Sequence, residues 1–160
     1  KKATLFKILF NLSPMYRRSC GKILTVSEDL HQVKVVIRLS YKNKNYVGSM
    51  FGGSLFAATD PIYMIQLMQI LGKEYVVWDK ATEIKFKRPV YKKAYVTFQF
   101  TPDEIQYIME RVAQEKEMDL IKLLNITDAD GKVYTEIAKT IYISSKVYYK
   151  EKRAKKKELI

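Results

Sequence analysis

The sequence has very little cysteine and histidine, and both scarcities exclude kinds of site. Cys20 is the only cysteine among 160 residues, so the chain can form no internal disulfide, and a reducing compartment is favoured. His31 is the only histidine, and no cysteine–histidine set has zinc spacing, so we expect no metal site. Because Cys20 and His31 stand eleven residues apart in a strand-like stretch, we interpret the cysteine as structural rather than as an activated nucleophile.

The sequence also lacks a hydrophobic run long enough to cross a membrane. The most apolar stretch, residues 52–71, contains Asp60, Pro61 and two glutamines, and its uncharged part is too short to span a bilayer. The first twelve residues are amphipathic and lack a cleavage-like end. We therefore expect a cytoplasmic protein without a membrane span. A phosphate-binding glycine loop and a dinucleotide fingerprint are missing too.

Acidic residues are in the minority. There are 29 lysines and arginines against 17 acidic residues, giving a net charge of +12. Residues 150–160 hold six of these cations against two glutamates, and we predict a solvated, frayed basic tail there, after a single domain at 1–149. The remaining basic surface should attract anions, including the phosphates of coenzyme A. Nucleic-acid binding ranks lower, because no aromatic–basic recognition motif is evident.

Hydrophobic periodicity predicts an α+β order of elements within a chain that is 48% hydrophobic. The predicted elements are a helix with the apolar stripe Leu5, Ile8, Leu9 and Leu12; strands at 22–27 and 32–41; an apolar helix at 52–71; strands at 75–87 and 95–101; a surface helix capped by Thr101; and strands at 120–127 and 132–145 joined by a hairpin turn at 128–131.

The helix at 52–71 is the central feature of this pattern. It is apolar nearly all round, so it must be surrounded by protein, and an antiparallel sheet curled around it would supply that burial. Gly72 is positioned to end the helix. Pro61 lacks the N–H that would bond Ala57, so Asp60–Pro61 is also a candidate kink.

The residues that lead into this helix carry a specific resemblance. The stretch from Asn45 to Asp60 contains Phe51-Gly52-Gly53, with Asp60 nine positions after Phe51. It resembles the signature of hot-dog-fold thioesterases related to the phenylacetate-pathway acyl-CoA thioesterases, which carry histidine before the two glycines. A branch with phenylalanine there is closer still, because Thr59-Asp60-Pro61 and the text VWDK from Val77 also recur, and the likeness covers residues 12–145.

The resemblance implies a hot-dog fold, an acyl-CoA thioesterase and a homodimer or dimer of dimers with sites between subunits. The Gly53 amide, at a helix N-terminus, would stabilise an oxyanion, and Asp60 would attack the thioester or activate water. Coenzyme A would enter only as part of the substrate, with no separate cofactor. The predicted substrate-binding residues are Asn45, Gly48, Phe51, Gly52, Lys87 and Arg88.

Two observations keep alternatives open. Phe51 lacks the polar group of the usual histidine, which favours a non-catalytic protein that binds acyl chains or lipids. Asp60 can instead be a structural acid, paired with a lysine or serving the kink. The cluster of Lys85, Lys87, Arg88, Lys92 and Lys93 is equally consistent with a solvated strand face and with contacts to coenzyme A phosphates.

Overall fold

The structure is a computed structural model that describes residues 1–158. It contains α1 (Lys2–Leu12), α2 (Pro14–Arg18), β1 (Gly21–Val26), β2 (Gln32–Ile37), α3 (Gly52–Thr59), α4 (Ile62–Leu71), β3 (Tyr75–Phe86), β4 (Ala94–Gln99), α5 (Pro102–Glu115), β5 (Glu117–Thr127), β6 (Val133–Ser145) and α6 (Lys146–Glu158). The predicted α+β order is confirmed, with two helices, α2 and α6, that the sequence patterns did not predict.

The six strands form one antiparallel sheet in the order β1-β2-β4-β5-β6-β3. Strands β5, β6 and β3 are long, with 11 to 13 residues each. A single residue pair, Tyr95 with Thr127, joins β4 to β5. Strand β3 lies at one edge of this sheet. Its backbone N–H and C=O groups on the side away from β6 therefore face outward, where another strand can pair with them.

The predicted central helix is two helices rather than one. The eight residues of α3 and the ten of α4 are separated at Asp60–Pro61, where the proline removes a helical donor. The kink hypothesis is therefore confirmed, and the apolar run predicted as one long helix over 52–71 is divided into two helical segments at this kink. Both helices contribute buried side chains to the core, such as Leu55 and Leu67, and Gly72 ends α4 with a positive φ of 83°.

The N-terminal helix α1 packs by an unexpected face. Phe6 and Phe10 are buried in the core, whereas the predicted apolar stripe from Leu5 to Leu12 faces outward. Ser13-Pro14 ends α1 as predicted, but it also begins α2, because proline is favoured at the first position of a helix. The sequence therefore located this helix correctly and assigned its buried side incorrectly.

The C-terminal half follows the sequence more closely. Thr101 and Glu104 form the predicted capping box of α5, and Gly131 takes a positive φ of 84° in the β5–β6 turn. The predicted boundary at 149/150 falls inside helix α6, so the described part of the basic tail is helical rather than frayed. Residues 159–160 of that predicted tail lie outside the described residues. Among residues 1–158, every helix is too short or too polar to cross a bilayer.

Candidate functional site

Helix α3 begins with two amides that no side chain caps within residues 1–158. Phe51 precedes it in an extended conformation and places its ring over Gly53, where an added Cβ would lie 2.2 Å from the ring. A Cβ on Gly52 would lie 2.9 Å from the ring of Phe86. The two glycines are therefore needed for close packing of aromatic rings at a helix end with partial positive charge.

The loop before α3 is held by its own polar side chains. Asn45 accepts a hydrogen bond from the Ser49 amide at 3.0 Å and donates one to Ser49 Oγ at 2.8 Å. Gly48 supplies a positive φ of 83° in the same turn. Buried Asn43 accepts from the amide of Phe51 through its carbonyl oxygen, at 2.7 Å. The structure thus gives Asn45 and Gly48 a role in shaping the loop that presents Phe51, and their contact with substrate stays a prediction.

The end of β3 reaches the N-terminus of α3. Phe86 contacts Gly52, so the following residues Lys87 and Arg88, whose amides still bond the Tyr134 carbonyl of β6, lie beside the helix start. The Lys87 ammonium lies 3.5 Å from a carboxylate oxygen of Glu136, and the Arg88 side chain is exposed. The predicted residues Phe51, Gly52, Gly53, Lys87 and Arg88 therefore belong to one region of the surface.

Asp60 lies at the break between α3 and α4, and its side chain is 44% exposed. The ammonium of Lys139, which is fully buried, lies 3.3 Å from Asp60 Oδ1 and also donates to the Asp60 carbonyl oxygen. Asp79 Oδ2 lies 3.1 Å from the same ammonium. One buried cation thus holds two carboxylates and the backbone of the helix break.

Tyr16 completes the support of this break. Its hydroxyl donates to the carbonyl oxygen of Ala58 at 2.9 Å, and its side chain is completely buried, which raises the pKa of the phenol. An interrupted helix leaves carbonyl groups without their helical donors, and buried carbonyls need other partners. Tyr16 and Lys139 supply these donors from α2 and β6.

Asp79 is the more buried of the two carboxylates, with a side chain that is 18% exposed. Its Oδ1 has no hydrogen-bond partner among the described residues. Burial raises the pKa of Asp79, and the charge of Lys139 acts in the opposite direction. The group therefore has spare accepting capacity beside Asp60.

One chain does not bring Asp60 and Gly53 together. They stand seven residues apart across α3, which corresponds to about 10 Å along a helix axis. A hydrogen-bonded catalytic group must be within about 3 Å of the reacting atom. Gly53 and Asp60 of a single chain therefore lie too far apart to meet at one thioester carbonyl.

Sequence reasoning missed Lys139, Asp79 and Tyr16. A signal for Lys139 was present, because it stands in phase with the buried residues Ile137 and Ile141 of β6. A lysine at a core-facing position of a strand requires a buried acid. Asp79 stands on neighbouring β3 opposite Ile141, but a register shift between Asp79 and Ala81 prevents its assignment from sequence alone.

A basic and aromatic groove lies near the helix start, with a volume of about 540 Å³. It is lined by Arg38, Leu39, Tyr91, Lys92, Lys93, Tyr95 and Ala129. Asn43 connects this groove to the N-terminus of α3. Its side chain donates to the Arg38 carbonyl oxygen at 3.0 Å, and its own carbonyl oxygen accepts from the Phe51 amide. In the described part of the chain Lys92 is paired with Asp128, whereas Arg38 and Lys93 form no ion pair.

Comparison with family models matches residues 2–143 to a family described as a domain of unknown function, DUF4442. The chain belongs to this family. Comparison with curated protein sequences gives no significant match.

Solved structures with this fold include thioesterases. A Pseudomonas aeruginosa protein of unknown function, described as a probable thioesterase, is 19% identical with a TM-score of 0.78, over 89% of this chain and 95% of that one. A Chlorobaculum tepidum protein of unknown function is 15% identical with a TM-score of 0.70, over 89% and 93%. A Haemophilus influenzae thioesterase is 12% identical with a TM-score of 0.62, over 88% of each chain. These likenesses confirm the predicted hot-dog fold of this family member.

Proposed function

We propose that the protein hydrolyses acyl-coenzyme A thioesters, at sites built by two copies of the chain. The uncapped amides of Gly52 and Gly53 carry this proposal, because they form a donor pair for a developing oxyanion. Asp60 is half-exposed and oriented by Lys139, so it can attack the carbonyl carbon or take a proton from the attacking water. The fold of the whole chain is shared with a Haemophilus influenzae protein described as a thioesterase, which supports the proposal.

The outer strand β3 supports a two-chain site. Asp79, in the first half of β3, is joined to Asp60 through Lys139, whereas Phe86, the last residue of β3, contacts Gly52. If two β3 edges pair antiparallel with Asp79 opposite Phe86 of the other copy, Asp60 of one chain approaches the glycines of the other. This arrangement closes the gap of about 10 Å that separates the two groups within one chain.

The basic and aromatic groove accounts for the coenzyme A portion of the substrate. Arg38 and Lys93 are available for phosphate oxygens, and Tyr91 can stack on an adenine ring. Lys87 and Arg88 flank the same helix start and supply further positive charge there.

The alternative is an acyl- or lipid-binding protein without hydrolysis. The Phe51 ring, which is 58% exposed, lies over Gly53 and offers no hydrogen-bonding group to a thioester. In this second proposal the same site retains an acyl chain, and Asp60 serves only the helix break.

Release of free thiol from acyl-coenzyme A esters of two to sixteen carbons, with and without the protein, distinguishes the two proposals. Hydrolysis predicts thiol release that falls about a hundredfold or more in Asp60→Asn, since a general base or nucleophile supplies at least that factor. The matched control Asp103→Asn changes an exposed acid on α5 and should keep full activity. Thiol release at the uncatalysed rate for every ester would reject hydrolysis, and a co-purified acyl ligand in native mass spectrometry would then support the alternative.

A further inference from the structure

The outward face of α1 and α2 is an apolar surface. Five large side chains are between 47% and 65% exposed there, and we call them the α1 patch: Leu5, Ile8, Leu9, Leu12 and Met15. The spacing of the four α1 residues puts them on one side of the helix, next to the side that buries Phe6 and Phe10. A contiguous apolar patch on a protein surface typically marks an interaction site.

The charge around the α1 patch is mainly positive, although Glu28 lines a cavity beside Lys1 and Lys7. Residues 1–27 contain six lysines and arginines and no aspartate or glutamate. Lys1 and Lys2 are exposed before the patch, and Arg17 and Arg18 are exposed after it. An exposed apolar helix face with flanking cations is the pattern of helices that lie in the interface of an anionic membrane.

A cavity of about 330 Å³ lies beneath the α1 patch, between α1 and α4. Its lining is mostly apolar and includes Leu5, Leu9 and Met15 from the patch, with Phe6 and Ile65 from below. The volume is within the range of small-ligand pockets, about 300–1,000 Å³. The patch therefore borders a mostly apolar space that is large enough for part of an aliphatic chain.

We propose that the α1 patch docks the protein onto an anionic lipid bilayer, with its leucines in the acyl boundary and the flanking cations on lipid headgroups. Charge distinguishes this occupant from a second copy of the chain, because pairing two faces with an excess of cations costs repulsion, whereas an anionic bilayer gains attraction. A nucleic acid would satisfy the cations but would leave the leucines in water. The docking is independent of thioester hydrolysis and of the β3 edge.

Co-sedimentation of the 160-residue chain with vesicles of phosphatidylcholine alone, and with a quarter of phosphatidylglycerol, tests the docking. We expect binding to the anionic vesicles, weak binding to the neutral ones, and loss of binding as salt rises. Leu5→Gln/Leu9→Gln/Leu12→Gln should weaken partitioning by about tenfold or more, because burying one leucine already accounts for about that factor. Arg17→Glu/Arg18→Glu should abolish the preference for anionic lipid.

Two matched variants test whether the effect is local. Ile121→Gln/Leu123→Gln removes side chains that are 66% and 76% exposed on β5, and Lys155→Glu/Lys156→Glu reverses the same charge on α6. Both should bind vesicles like the unmodified chain, and all variants should keep its circular dichroism spectrum. Equal binding by the triple glutamine variant would overturn the proposal, as would absent binding to anionic vesicles. If the parent does not bind vesicles and the triple glutamine variant has a smaller oligomer mass than the parent, the patch contacts a second copy of the chain instead.

Discussion

The ammonium of Lys139 lies 3.3 Å from Asp60 Oδ1, with the lysine side chain completely buried and the aspartate side chain half-exposed. This pair joins β6 to the interruption between α3 and α4. It explains how a carboxylate keeps a fixed position at a helix break while one side remains accessible. The two interpretations of Asp60, structural acid and site residue, are therefore compatible.

Replacing the buried lysine tests how much the break depends on it. Lys139→Met leaves Asp79 without its cation and should lower the free energy of unfolding by about 3–5 kcal/mol. The exposed pair of Lys80 with Asp119 gives the control, since Lys80→Met should cost about 1 kcal/mol or less. Urea unfolding of both variants measures the difference. Similar losses for the two lysines would contradict a central role for Lys139.

The buried hydroxyl of Tyr16 gives a second prediction about the same break. Tyr16→Phe leaves the Ala58 carbonyl without a donor and should cost about 1–3 kcal/mol in the free energy of unfolding. The control Tyr46→Phe removes a hydroxyl from a fully exposed ring and should stay within about 0.5 kcal/mol of the parent. Thermal and urea unfolding check both values. If Tyr16→Phe unfolds like the control, the hydroxyl does not support the break.

The sequence predicted the arrangement of the fold because burial is periodic along most of the elements. Local patterns predict strands β2 and β6 and the capping box at Thr101. They also predict Gly72 at the end of α4 and Gly131 in the β5–β6 turn. The packing of α1 did not, since two faces of this helix are apolar and only tertiary contacts decide that Phe6 and Phe10 are buried.

The site was predicted in part. The glycine pair and Asp60 follow from the motif, and their contacts with substrate stay predictions. Tyr16, Asp79 and Lys139 act through contacts between distant segments, and Lys139 reaches Asp60 over 79 residues of sequence. Such contacts depend on strand register and on the bulge after Asp79, which no local pattern specifies.

A pH prediction follows from Asp128 in the β5–β6 turn. Lys92, 2.8 Å away, and the amides of Lys132 and Asp130 lower the pKa of Asp128 from its usual 3.8 to about 2. Because the folded-state pKa is depressed, this group stabilises the fold above pH 3.8, and the stabilisation is lost as the pH falls towards 2.

Unfolding by urea between pH 5 and pH 2 checks this assignment. At pH 5 the free energy of unfolding of Asp128→Asn should be lower than that of the parent. The two values should converge as the pH falls towards 2. Asp130→Asn alters an exposed acid of the same turn and should keep the slope of the parent. If the free energies of unfolding of Asp128→Asn and the parent fall in parallel with pH, another group causes the loss of stability in acid.

Gly53→Ala separates stability from activity. The added methyl group would displace the ring of Phe51, which is exposed and can rotate away, so the free energy of unfolding should change by less than about 1 kcal/mol. The methyl also narrows the approach to the amide, so kcat/KM for acyl-coenzyme A should fall by about tenfold or more. A large loss of stability with unchanged kcat/KM would remove Gly53 from the oxyanion site.

Complementation between two impaired variants tests most directly whether one site is built from two chains. In a mixed dimer of Gly53→Ala and Asp60→Asn, one of the two sites receives an unmodified glycine and an unmodified aspartate. Co-expression of both variants should therefore restore about a quarter of the parental thiol release, because about half of the dimers are mixed and each has one intact site. If the mixture stays as inactive as either variant alone while mixed dimers are present, Gly53 and Asp60 do not combine across chains, and the account of the site is wrong.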